Sequence, residues 1–191
     1  FYALHKAHYT NKKKEGNKIT YKGAPLMSKN QTWGTPREFM NFLEKKFNWK
    51  PNLDAAASLK NTKAPFYYSE KDNSLKKDWH GHVWLNPPFG KVLLPQFLKK
   101  CNEQIKRKEV HSIMVLIPAR TDVIWFHDLV CKGATNIYLI KGRFNFDSPY
   151  AKSGANAPFP SMLVEYTKTR CHNETYIQTL EVDKKYRGWN K

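Results

Sequence analysis

Val83-Trp84-Leu85-Asn86-Pro87-Pro88-Phe89 is the stretch from which the chain is best read. Three apolar residues make a short strand suited to a sheet interior, and two consecutive prolines stop it at once. Each proline removes an amide donor, leaves a carbonyl, and holds the backbone extended. Asn86 brings an acceptor and a donor, and Phe89 brings a flat ring. A polar edge beside an aromatic face is what a planar heterocycle with an exocyclic amine requires, although a proline turn closing a strand has the same sequence.

The flanks supply helices and further strands. Thr35-Pro36-Arg37-Glu38 reads as a helix start, with Thr35 as cap and Pro36 at the first helical position. Phe39, Met40, Leu43 and Phe47 follow at helical spacing, and Asn48 to Pro51 ends the helix. Short strands are expected at Asn52–Ala57 and Phe66–Tyr68. A helix is expected from Leu93 to Lys108, an apolar strand from Ser112 to Ile117, and a helix from Thr121 to Val130. Strands at Thr135–Ile140, Met162–Tyr166 and Tyr176–Val182 complete the pattern, with a further short one at Arg143–Phe146. Asp147 to Pro160, rich in Gly, Pro, Ala and Ser, has the composition of a substrate lid. The alternation argues for an α/β fold, a mostly parallel sheet with flanking helices. In such sheets ligands bind at the carboxyl ends of the strands.

Composition narrows the function. The 191 residues carry 33 Lys+Arg against 16 Asp+Glu, a net charge of +17, which points to a polyphosphate partner. Lys12-Lys13-Lys14 is the densest basic tract, in a segment with no sustained period. Residues 1–30 are therefore expected to form a basic arm and residues 31–191 a single domain. No apolar run approaches the ~20 residues that span a bilayer. Three Cys exclude a disulfide scaffold and suit a reducing compartment. His127 and Cys131 stand four apart, Cys171 and His172 are adjacent, and no Cys-x-x-Cys occurs, so no metal is expected. The chain begins at Phe1 without a Met, as a piece of a longer chain would.

Other positions carry cofactor or substrate chemistry, each beside a plainer alternative. Thr35-Pro36, at a helix N-terminus, suits a carboxylate as well as a simple cap. Asp54 follows an apolar strand and precedes Ala55-Ala56-Ala57-Ser58, where small side chains admit a ligand and an acid holds an ammonium group. Asp72, in Asp72-Asn73-Ser74, reads as a turn residue. Arg120 and Asp122, just past a strand end, suit phosphate contact or an internal brace. Lys91 and Arg143 are further phosphate candidates.

Asn86-Pro87-Pro88-Phe89 resembles the Asp/Asn-Pro-Pro-Tyr/Phe motif of amino-group DNA methyltransferases. The ordered set Trp33-Gly34-Thr35-Pro36, Leu53 to Ser58, Asp72-Asn73-Ser74-Leu75, Asp78-Trp79 and the motif resembles the phage-type DNA N-6-adenine-methyltransferase family. Pro118 to Asp122, Trp125-Phe126-His127, Gly142-Arg143-Phe144 and Ala157 to Ser161 continue the likeness, from about Trp33 to Tyr166. The chain departs from the family in having Ala55 beside the acid instead of Pro, no Gly-rich loop there, and Phe89 for the commoner Tyr.

The resemblance implies a Rossmann-like S-adenosylmethionine-dependent methyltransferase fold, seven-stranded with one antiparallel strand. It implies methyl transfer from S-adenosylmethionine to the N6 amine of adenine in double-stranded DNA, with the base flipped from the stack. Asn86 and the Pro87 carbonyl would accept from the amine and Phe89 would stack on the base. Trp33, Thr35, Pro36, Asp54, Ala55, Ala56, Ser58 and Asp72 would hold the cofactor. Lys91, Arg120, Asp122 and Arg143 would face DNA. Rival readings are cytosine-N4 or RNA methylation, and a non-catalytic nucleic-acid-binding module with the same fold. A short recognition sequence, a monomer or weak dimer, and an intracellular setting (phage-infected or bacterial cytoplasm, or nucleus) complete the expectation.

Overall fold

The computed structural model describes residues 33–147, 157–169 and 174–183. The basic arm at 1–30 and most of the expected lid lie outside the described residues.

Among the described residues, seven strands form one sheet: β1 (Leu53–Asp54), β2 (Phe66–Tyr67), β3 (Gly81–Leu85), β4 (Val110–Pro118), β5 (Asn136–Ile140), β6 (Ser161–Thr167) and β7 (Tyr176–Leu180). Their spatial order is β2-β1-β3-β4-β6-β5-β7. Only β6 runs against its neighbours, β4 and β5; every other pairing is parallel. The expected mostly parallel sheet, with one reversed strand among seven, is therefore present.

Helix α1 (Arg37–Phe47) covers one face and α2 (Leu93–Gln104) the other. Burial on both faces explains why β4 is apolar without alternation. Ile113, Val115 and Ile117 join the core on the α2 side, while Met114 and Leu116 join the core on the α1 side. Phe39 and Leu43 of α1 are fully buried against Trp84 and its neighbours, and Asn48, in the left-handed conformation at φ 48°, ends that helix.

Some elements differ from expectation. Strand β1 has two residues, and α2 stops at Gln104 instead of Lys108. Arg143 to Phe146 joins no strand; Phe144 and Phe146 pack into the α1-side core instead. The segment expected as a helix to Val130 contains a π-helical turn, Phe126–Cys131. Its carbonyls find partners outside the helix. Leu129 O accepts from Asn102 Nδ2 at 2.9 Å and from the Tyr166 hydroxyl at 3.1 Å, and Cys131 O accepts from the Thr175 hydroxyl at 2.6 Å.

The topology fixes where a ligand can sit. From β1 the chain steps to β2 on one side, then crosses to β3 on the other. The sheet thus changes winding direction between β1 and β3, and their carboxyl ends flank the crevice favoured for ligands. Asp54 ends β1, and Asn86 follows β3 directly. Because β6 is reversed, its first residue, Ser161, pairs with Pro118 and falls on the same rim.

Candidate functional site

Several candidates from the sequence come after the carboxyl ends of strands. Asp72 follows β2, Asn86 to Lys91 follow β3, Arg120 and Asp122 follow β4, and Arg143 follows β5. Thr35 reaches the rim by another route. It caps no helix: Pro36 is the cap residue, and its carbonyl accepts from Phe39 N at 3.2 Å. The 2% exposed Thr35 instead turns its hydroxyl to Asn86, whose Nδ2 donates to it at 3.1 Å. Tertiary pairing over 51 residues prevails over the local capping signature.

Asn86 is the centre of this arrangement. Its Nδ2 also donates to the Trp33 carbonyl. A carbonyl oxygen only accepts, so the nitrogen end of the amide must face Trp33. Oδ1 is left buried with no hydrogen-bond partner among the described residues. An orphaned buried acceptor costs about 1–3 kcal/mol, which an incoming N–H donor recovers. Pro87, buried, follows it, and Phe89 contacts the apolar cores on both faces of the sheet.

Four aromatic rings gather beside the motif. Phe89 meets Phe159 edge-to-face at 5.6 Å between centroids and Phe146 at 6.0 Å. Trp33 meets both Phe146 and Phe159 at 5.6 Å. Phe146 and Phe159 were not singled out from the sequence for a site role. Gly34 and Asp147 exchange two backbone hydrogen bonds of 2.8 Å, which fixes Trp33 and Thr35 on either side of Gly34. A side chain at Gly34 would meet the Asp147 carbonyl at 2.9 Å, so glycine is required for this approach.

Asp54 is 3% exposed. Its Oδ2 accepts from Lys63 N at 2.9 Å and its Oδ1 from Ala56 N at 3.4 Å. Burial pushes its carboxyl up to about 6, opposed by those amides and by the Lys63 charge. Ala55 is buried, with its N–H bonded to Trp84 O, and Ala57 N bonds to Tyr68 O, so the three alanines lie between β2 and β3.

Lys63 was not anticipated. It is half-buried, and burial holds its ammonium below the usual lysine range, with the charges of Asp147, Arg37, Asp54 and Glu38 acting on it. Among the described residues it makes no close ion pair. A lysine in a polar loop carries no sequence signal; only the fold brings it to the buried acid.

The remaining candidates are more exposed. Ser58 bonds Asn61 Oδ1 through its N–H at 2.6 Å and hydroxyl at 2.9 Å, closing a surface turn. Asp72 Oδ2 accepts from Ser69 N at 2.8 Å and Oγ at 2.6 Å, and the hydroxyl bond holds its carboxyl below the usual range. That is a turn role, and it leaves Oδ1 available. Lys91, Asp122 and Arg143 are exposed, and Arg120 is partly buried. No grouping of three or more His, Cys, Asp or Glu residues among the described residues could hold a metal. Among them, no helix is long and apolar enough to cross a membrane.

Comparison with known proteins supplies an independent reading. A family model described as DNA N-6-adenine-methyltransferase (Dam) matches residues 24–187. A DNA N-6-adenine-methyltransferase of Escherichia phage T1 is 37% identical over 127 residues, 64% of this chain and 51% of that protein. One of Haemophilus phage HP1 is 28% identical over 115 residues, 60% of this chain and 65% of that protein. The chain thus spans about half the length of the first relative and somewhat under two thirds of the second.

Proposed function

We propose that this chain, which belongs to the DNA N-6-adenine-methyltransferase family, transfers a methyl group to the exocyclic N6 amine of adenine in double-stranded DNA. The observation that carries this reading is the buried, unpartnered Oδ1 of Asn86 at the end of β3. It is an acceptor awaiting a donor, and an exocyclic amine brings one. The fold fits a Rossmann-like methyltransferase: seven strands, one of them reversed, with the crevice between β1 and β3.

Family membership implies S-adenosylmethionine as the methyl donor, and the residues present suit it. When bound, it would supply the electrophilic methyl group and leave as S-adenosylhomocysteine, with one amine proton released to solvent. Asp54 would hold its ammonium end, and the alanines at 55–57 leave room for it. Lys63 and the first-turn amides of α1 would hold its carboxylate. Asp72, through Oδ1, is the candidate for the ribose, with Trp33, Pro36 and Ser58 lining the approach.

On the substrate side, Asn86 Oδ1 accepts one hydrogen of the target amine and the Pro87 carbonyl the other. This draws the nitrogen lone pair out of conjugation with the ring, which raises its nucleophilicity. Phe89 stacks on the flipped base. Lys91, Arg120 and Arg143 attract phosphate, with Asp122 beside Arg120 to orient it. An intracellular setting where DNA is accessible follows from this substrate.

Nucleoside mass spectrometry of duplex DNA incubated with the chain and cofactor is expected to detect N6-methyladenine. Asn86→Ala should reduce transfer by about a thousandfold or more while cofactor affinity stays within about threefold. Methylcytosine alone as product, or full turnover by Asn86→Ala, would defeat this reading.

A further inference from the structure

We propose that the Thr35 hydroxyl and the Trp33 carbonyl are positioning groups that fix which end of the Asn86 amide meets the target base, and that they commit this site to asparagine at position 86. The proposal rests on the reading of Asn86 as acceptor of the exocyclic amine, and deepens it.

The two ends of a carboxamide are alike in shape and opposite in chemistry. A half turn about the last side-chain bond would offer Nδ2, a donor, to an amine that needs an acceptor. Two acceptors on a separate segment prevent that turn. The Trp33 carbonyl takes one Nδ2 hydrogen, and the Thr35 hydroxyl takes the other at 3.1 Å. Both amide hydrogens are then spent inside the protein, and Oδ1 is the atom left over.

The frame is rigid where it has to be. Gly34, between the two acceptors, is held by reciprocal 2.8 Å bonds to Asp147. Thr35 is 2% exposed, so its hydroxyl has no water competing for it. No helix-capping duty draws it away.

A carboxylate cannot occupy this frame in the same way. It has no hydrogen for the Trp33 carbonyl, so lone pairs would face lone pairs at a buried contact. Relief would require the side chain to rotate or the Trp33 segment to part from it. The Thr35 hydroxyl would also reverse and donate into the carboxylate, drawing charge away from the target. An Asp-Pro-Pro form of the motif is therefore unsuited to this chain.

The test is single-turnover methyl transfer by the full chain on duplex DNA, with cofactor affinity and melting temperature measured for each variant. Thr35→Val, which keeps the shape and loses the acceptor, should slow transfer about tenfold with cofactor affinity within about twofold. Thr35→Ser should return the rate to within about threefold of the original. Asn86→Asp should slow transfer about a hundredfold or more. A full rate in Thr35→Val or in Asn86→Asp overturns the proposal. So does a Thr35→Val variant that loses cofactor affinity yet turns over normally at saturation, because Thr35 would then be a cofactor contact. If Thr35→Val does not fold, Asn86→Asp, with both acceptors intact, decides alone. Failure of the underlying reading looks different: the unaltered chain makes no N6-methyladenine, or Asn86→Ala is fully active. Either result overturns both proposals, whereas an inactive Asn86→Ala beside a fully active Thr35→Val overturns only this one.

Discussion

At Asp54, burial and the proposed role in holding the cofactor pull the carboxyl in opposite directions. Burial favours the neutral acid up to about pH 6, while holding an ammonium group requires the charged form. Above that value the carboxylate is ionised and, in the proposed site, would attract the cofactor. Below it a proton must first leave, so affinity should fall about tenfold per pH unit as the solution is acidified. The cofactor's own ammonium stays protonated there and does not offset the loss. Calorimetric titration from about pH 8 down to about 5 checks this, and an affinity flat across the range would remove Asp54 from the cofactor site. Residue by residue, the sequence was uneven as a guide. Asn86 and its prolines were legible because a strand halted by two prolines is a local signal. Thr35 was misread as a cap because Thr-Pro-x-Glu has that meaning locally, while its partner lies 51 residues away. Lys63 is silent for another reason: a lysine in a polar loop carries no local signal, although Asp54 lies only nine residues before it.

At the scale of elements, strands were easier to read than windings. The apolar run of β4 and the alternation of strands with helices gave the sheet, because burial on both faces writes itself into composition. The π-helical turn at Phe126–Cys131 left no mark, since the captors of its carbonyls sit on α2 and β6. Asn102 is the pivot there. Its Nδ2 also donates to Leu98 O at 3.0 Å, and its Oδ1 would lie 1.7 Å from a side-chain carbon added at Gly133. Gly133→Ala should therefore expel the Asn102 side chain and cost about 1–3 kcal/mol of stability. Asn102→Ala should cost a similar amount by itself. The double variant should cost clearly less than the sum, since the clash and the lost bonds are one event. Urea unfolding of the three variants tests this, and strict additivity would refute it.

Across the whole molecule, the net charge of +17 is spread over the chain. If the basic residues meet DNA phosphates, binding should weaken steeply with salt. With about six phosphates engaged, affinity would drop about a thousandfold between roughly 50 and 200 mM salt. Fluorescence anisotropy with unrelated duplexes measures the slope, and a shallow one would assign the charge to another partner. The sheet order has a further consequence, for synthesis. Among the described strands, β5 pairs only with β6 and β7, both made after it. A nascent chain can assemble β1 to β4 as it leaves the ribosome, but β5 must wait, apolar and unpaired, for β6 to emerge and slot in beside β4. Until then the half-built domain exposes the kind of strand edge on which chains aggregate, and this is the interval in which a chaperone would matter most.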